Sequence, residues 1–194
     1  VDAIDLDIVM TKDGVLVVHH GLTLSADITR DANGNWVQDE SIAVKDLTLE
    51  QIKTYDVGSV QPGARYGEIY SAQSFGEEPV AIPTLAEAID YIKAHADYPV
   101  GYQIEIKTNP TKPEWSTPPE KIVPALNELL IKEGISQRSK VQAFDWQCLQ
   151  ILQRLNPQVQ TAYLTDALVK YTYLSEDIEM AGLWTGGYLL KDYD

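Results

Sequence analysis

Val100-Gly101-Tyr102-Gln103-Ile104-Glu105-Ile106-Lys107 is the stretch that decides the fold. Side chains in a strand repeat with period 2, so Glu105 and Lys107 share one face while Ile104 and Ile106 share the other. On its N-terminal side Thr84 caps a helix over Leu85 to His95, with Glu87 in the capping-box position. On its C-terminal side an amphipathic helix is predicted over Pro118 to Glu133. Its apolar stripe is Ile122, Ala125, Leu126, Leu129 and Leu130, and Gly134 ends it. A strand over Lys140 to Phe144, a helix over Gln147 to Leu155 and a strand over Val159 to Leu164 follow. Asp166 to Tyr173 reads as another helix, and Tyr188 to Leu190 as a strand. Strand–helix–strand alternation predicts an α/β fold with a parallel sheet. Because Glu105 falls at the end of its strand, a barrel with its site at the strand C-termini is favoured.

The start of the chain repeats the spacing of Glu105 and Lys107. Ala3 to Met10 reads as a strand with Asp5 and Asp7 on one face and Ile4, Leu6 and Ile8 on the other. Lys12-Asp13-Gly14 is a hairpin turn signal, and Val15 to His19 is the returning strand. The hairpin carries His20 back towards Asp5 and Asp7, whereas His19 is expected to point away, as a structural or exposed residue. Three carboxylates, a lysine and a histidine can then meet in one pocket, with the composition of a hard-metal phosphate site. From Gly21 to about Ala81 the pattern is irregular apart from a short helix capped by Thr48, with Gln51 as its box partner. A long stretch of this kind is often a functional insertion beside a site.

Composition bounds the reading. The chain has 194 residues, 44% hydrophobic and 23% charged, enough for one domain with a substantial core. No run reaches the ~18 apolar residues expected of a membrane span. Twenty-nine acidic residues against 15 basic ones give a formal net charge of −14, which disfavours nucleic acid and anionic membranes as partners. The single cysteine, Cys148, lies in an apolar helical pattern and is expected to be a buried core thiol.

Six blocks, in order and at matching spacing, resemble the glycerophosphodiester phosphodiesterase family. They are Asp5-x-Asp7, Thr11-Lys12-Asp13-Gly14, Val17-Val18-x-His20, Ile82-Pro83-Thr84-Leu85, Glu105-x-Lys107 and Ala143-Phe144-Asp145-Trp146. The stretch from Leu22 to Asp31, with Asp56-Val57-Gly58 later, is similar to a bacterial subgroup with a large insertion, here residues 21–82. The resemblance implies a (β/α)8 TIM barrel and hydrolysis of glycerophosphodiesters to sn-glycerol 3-phosphate and an alcohol such as choline, ethanolamine or glycerol, within glycerophospholipid metabolism. It implies that Asp5, Asp7 and Glu105 hold a divalent cation, Ca²⁺ or Mg²⁺. His20 would be one of two proton-transferring histidines, the acid to the leaving alcohol, and Lys107 would neutralise phosphate charge. The small-molecule diester is the only partner implied. The subgroup is often periplasmic or secreted, and a cytoplasmic location stays open.

Three departures accompany the match. The family's His-Arg pair on the first strand is absent, and the last strands of a ~250-residue barrel are not present either. The chain is therefore expected to be a barrel segment truncated at both ends. Aspartate stands at position 5 where the family usually has glutamate, and Gly21 stands where aspartate commonly follows the histidine. The departures motivate a rival reading, a barrel that binds a phosphodiester or metal without turnover. A related phospholipase-type diesterase is a second rival, disfavoured by the Thr-Lys-Asp-Gly and Ile-Pro-Thr-Leu blocks. Trp146, Arg30, Tyr102 and Trp36 are weaker pocket candidates.

Overall fold

The computed structural model describes residues 1–73, 78–165 and 178–188. Its centre is a five-stranded sheet of β1 (Ala3–Met10), β2 (Leu16–Val18), β3 (Gly101–Ile106), β4 (Ser139–Ala143) and β5 (Gln160–Tyr163), in the order β2-β1-β3-β4-β5. β1, β3, β4 and β5 run parallel, and β2 is antiparallel to β1. The helices are α1 (Leu49–Ile52), α2 (Arg65–Ile69), α3 (Leu85–His95), α4 (Pro119–Lys132), α5 (Trp146–Leu155) and α6 (Ile178–Thr185). All the strands and helices expected between Ala3 and Leu164 are present, with ends shifted by one or two residues. The helix expected over 166–173 lies outside the described residues, as does most of the strand expected over 188–190. α6 was not legible, because Ile178-Glu179-Met180-Ala181-Gly182-Leu183-Trp184 is apolar nearly throughout and carries a glycine, so no 3.6-residue stripe stands out.

Alternation divides the sheet into two faces. Ile4, Leu6, Ile8 and Met10 of β1 and Ile104 and Ile106 of β3 pack with α3, α4 and α5 through Leu85, Ile89, Leu126, Leu130, Leu149 and Leu152. Each such burial is worth about 1.5–3 kcal/mol, so this layer holds the sheet to its helices. Tyr102 lies on the same helix-facing side, 2% exposed and under the Arg138 guanidinium, so it belongs to the core and faces away from the carboxylates of β1 and β3. The opposite face carries Asp5, Asp7, Gln103, Glu105 and Gln142. Near the hairpin that face is covered by a second, smaller core, in which Val9 and Val17 meet Leu24, Val37, Val44, Ile52 and Ile82 from the segment after β2.

Two sequence blocks turn out to be structural staples. Thr11 Oγ1 donates to Asp13 Oδ1 (2.6 Å) and accepts from Val15 N (3.0 Å), while Gly14 takes φ +84° to close the turn. Asp13 also accepts the Leu49 backbone N–H, pinning α1 to the hairpin. In the second staple, Pro83 O accepts from Val18 N at 2.8 Å, and Thr84 and Glu87 form the expected capping box of α3. Thr48 and Gln51 form the expected box of α1. Arg30 is also structural: it pairs with Asp56, donates to Ser59 and lies over Trp36, tying together residues 30–59.

Asp145 caps α5 by accepting from Gln147 N (3.1 Å) and accepts from Thr108 Oγ1 at 3.0 Å, joining the ends of β3 and β4. It is 1% exposed, and burial pushes its carboxyl up to about 6 from an ordinary 3.8, against the opposing pull of those two hydrogen bonds. A raised carboxyl favours the protonated fold. Its contribution is fully present below pH 3.8 and is lost as pH rises through about 6. Asp145→Asn keeps an acceptor and removes the charge. It should gain on the order of 2 kcal/mol over wild type at pH 8 and converge with it near pH 4, read from urea midpoints at the two pH values. A gain independent of pH would rule out the buried charge as its cause.

Candidate active site

The site begins with strand register. Asp7 lies opposite Glu105, and Glu105 opposite Gln142, so three polar residues form one row across β1, β3 and β4. Asp5 lies opposite Gln103 in the row below, because two residues along a strand is a step of about 6.6 Å. The rows sit on the face away from the helices, towards the C-terminal ends of β3 and β4. Lys107 follows β3 directly and returns its side chain to the upper row.

Lys107 Nζ is 2.6 Å from Glu105 Oε1 and 3.1 Å from Asp7 Oδ1. One ammonium therefore joins two carboxylates that would otherwise face each other uncompensated. Glu105 is buried, and its pKa is raised. Burial is the largest cause and the Asp7 charge adds to it, while the hydrogen bond and charge of Lys107 oppose both. Asp5 is exposed, and its Oδ1 is 3.3 Å from Gln142 Nε2, a link between the lower and upper rows.

The expected residues are thus brought together unequally. Asp7, Glu105 and Lys107 form one hydrogen-bonded cluster. Asp5 shares their face one row away. Among the described residues no group of three or more His, Cys, Asp or Glu is arranged as a metal cage. The donor set still fits a hard cation: every candidate ligand is a carboxylate oxygen, and two already converge on the point that Lys107 occupies.

The histidines sit at the end of the hairpin. β2 ends at Val18, but the ladder continues for one more bond, His19 N–H to Asp7 O at 3.0 Å. His19 takes the structural of its two expected places: it is 9% exposed, and its Nδ1 donates to Gly21 O at 2.7 Å. His20 lies past the strand end, exposed and without a hydrogen-bond partner among the described residues. Gln142 was missed. Its signal was available, since Val141 and Ala143 flank a polar residue on a strand that ends one turn before Asp145. Trp146 is largely buried, edge-on to Tyr163 at 5.1 Å, with its indole N–H donating to Leu164 O, so it packs β5 onto α5.

Comparison with known proteins identifies the family and the fold. The family model described as "Glycerophosphoryl diester phosphodiesterase family" matches residues 1–187. A glycerophosphodiester phosphodiesterase of Bacillus subtilis is 35% identical over 169 residues, covering 86% of this chain and 50% of the relative. One from Caldanaerobacter subterraneus is 31% identical, covering 84% and 54%. The chain spans about half the length of these curated relatives. A crystal structure from Silicibacter pomeroyi named for the same activity superposes with a TM-score of 0.78 at 28% identity, covering 96% of this chain and 63% of that one. An Oleispira antarctica phosphodiesterase, solved in complex with the product sn-glycerol-3-phosphate, shares the fold with a TM-score of 0.60 at 20% identity, covering 97% and 70%. These structural neighbours are of TIM-barrel type, and the parallel strands and helices described here correspond to part of such a barrel. With the match extending over residues 1–187, the chain belongs to the glycerophosphoryl diester phosphodiesterase family.

Proposed function

We propose that this chain carries most of the site of a divalent-cation-dependent hydrolase that splits glycerophosphodiesters into sn-glycerol 3-phosphate and an alcohol. The observation that carries the reading is the registered Asp7–Glu105 pair joined by Lys107 at the C-terminal ends of parallel strands. The names of the relatives and the product bound in the Oleispira antarctica structure support the substrate class. Residues 21–82 would be an insertion that covers the hairpin side of the site.

The roles follow from residue chemistry. Asp7 and Glu105, with Asp5 from the row below, would hold Ca²⁺ or Mg²⁺. When bound, such an ion offsets charge on a phosphate oxygen. Lys107, held beside those carboxylates, would present its ammonium to the phosphate next to the ion. His20, exposed and free of competing hydrogen bonds among the described residues, gives its proton to the departing alkoxide. The rival reading, binding without turnover, draws on the one-row offset of Asp5.

Glycerol 3-phosphate release from glycerophosphocholine by the full-length protein tests the proposal in Ca²⁺, Mg²⁺ and EDTA. Release is expected with a divalent cation and should stop in EDTA. His20→Ala should lower kcat by roughly 10²–10⁴-fold, and Glu105→Ala should abolish metal-dependent release. No release with choline, ethanolamine or glycerol head groups, from folded protein, would sink the catalytic reading and favour the binding one.

Asp5→Glu tests the metal site separately. One more methylene lets the carboxylate reach up towards the Asp7 row, so half-maximal activity should need several-fold less cation, on the order of 1 kcal/mol in binding. An unchanged requirement would exclude position 5 from the ligand set.

A further inference from the structure

We infer that His19 is a positioning residue that fixes the place of His20 by anchoring the chain on both sides of it. The inference rests on the proposed role of His20 as proton donor.

The anchors are two hydrogen bonds from one residue. The His19 backbone N–H donates to Asp7 O at 3.0 Å, so the chain entering His20 is tied to the strand that carries Asp7. The His19 ring reaches over to Gly21 O at 2.7 Å, so the chain leaving His20 is tied as well. A carbonyl oxygen only accepts, so Nδ1 carries the hydrogen. Among the described residues the His20 side chain has no hydrogen-bond partner, so these backbone anchors are what hold its Cα.

Gly21 completes the bracket. A Cβ there would lie 2.7 Å from Thr23 O and 3.4 Å from His19 Cε1. The aspartate common at this position in the family therefore does not fit the backbone as it stands. The His19 ring and the glycine belong to one compact turn.

The arrangement carries a cost that packing alone does not explain. With Nδ1 protonated, Nε2 is a lone-pair acceptor, and it is buried with no partner among the described residues. The Gly21 carbonyl, which can only accept, is what selects this tautomer. Leucine would fill a similar volume without an orphaned nitrogen. What histidine adds over leucine is the Nδ1–H bond to Gly21.

That difference gives a test in which stability and catalysis move apart. His19→Leu removes the ring donor and the orphaned acceptor together. In the full-length protein it should be at least as stable as wild type by urea midpoint. Its kcat for glycerophosphocholine hydrolysis should fall roughly tenfold with KM held within about twofold, because misplacement of a reacting group acts on the chemical step. His19→Asn places an amide N–H near the Nδ1 position and should restore kcat to within about threefold of wild type, by the same geometric argument. Wild-type kcat in His19→Leu, or equal losses in the Leu and Asn variants, would overturn the positioning role while leaving the diesterase intact. Wild-type activity in His20→Ala would instead remove His20 from the reaction, and the inference with it. If wild type releases no glycerol 3-phosphate, the functional reading itself has failed.

Discussion

The ammonium of Lys107 is the contact on which the site depends. Parallel pairing puts Asp7 directly opposite Glu105 on one face of the sheet. Two carboxylates at that spacing repel, and partial burial strengthens the repulsion because less water screens it. Lys107 sits between them at 3.1 and 2.6 Å and offsets part of their charge. The pair is only partly exposed, so removing the lysine would leave a poorly solvated charge rather than erase a surface ion pair. A divalent cation answers the same electrostatic demand with twice the charge. On the function proposed above, cation binding and lysine placement would be two answers to one local excess of negative charge.

The rest of the fold delivers those three residues to one point. Alternating side chains send Ile4, Leu6, Ile8, Ile104 and Ile106 into the helix layer, which forces Asp5, Asp7 and Glu105 to the other face. A one-residue slip between β1 and β3 would bury carboxylates among leucines, so the hydrophobic layer fixes the polar register. The Thr11–Asp13 and Pro83–Thr84 staples then hold the hairpin against α1 and α3. These staples show why blocks far from the chemistry accompany it in sequence: they set where the chain goes after β2.

Much of this was legible before the structure. Period-2 spacing placed Asp5, Asp7, Glu105 and Lys107 on one face, and capping boxes located α1 and α3 to the residue. The misreadings share a cause. Strand periodicity was extended to His19, one residue past the end of β2, so it did not reveal that the His19 ring turns back to the Gly21 carbonyl. The rows are set by pairing between distant strands, and nothing local reveals that Asp5 faces Gln103 while Asp7 faces Glu105. Gln142 depends on the same long-range register. α6 lacked a polar face for periodicity to find, and α2 is only five residues long. Burial of Asp145 was hidden as well, since an N-cap aspartate is usually solvated, and only the packing of α5 against the β3 end encloses it.

Cys148 gains a use from where it lies. It is the only cysteine, fully enclosed, with its sulfur 3.4 Å from Thr108 Oγ1 beneath Asp145, and burial and the Asp145 charge push its thiol well above the ordinary range. In the closed fold it is neither accessible nor ionised, so it is chemically silent towards alkylating reagents. It becomes reactive only when α5 lifts from the sheet end that carries Lys107. A single native sulfur thus serves as an intrinsic clock for the breathing of the site's own foundation, read by mass from the pace at which the chain takes up one label.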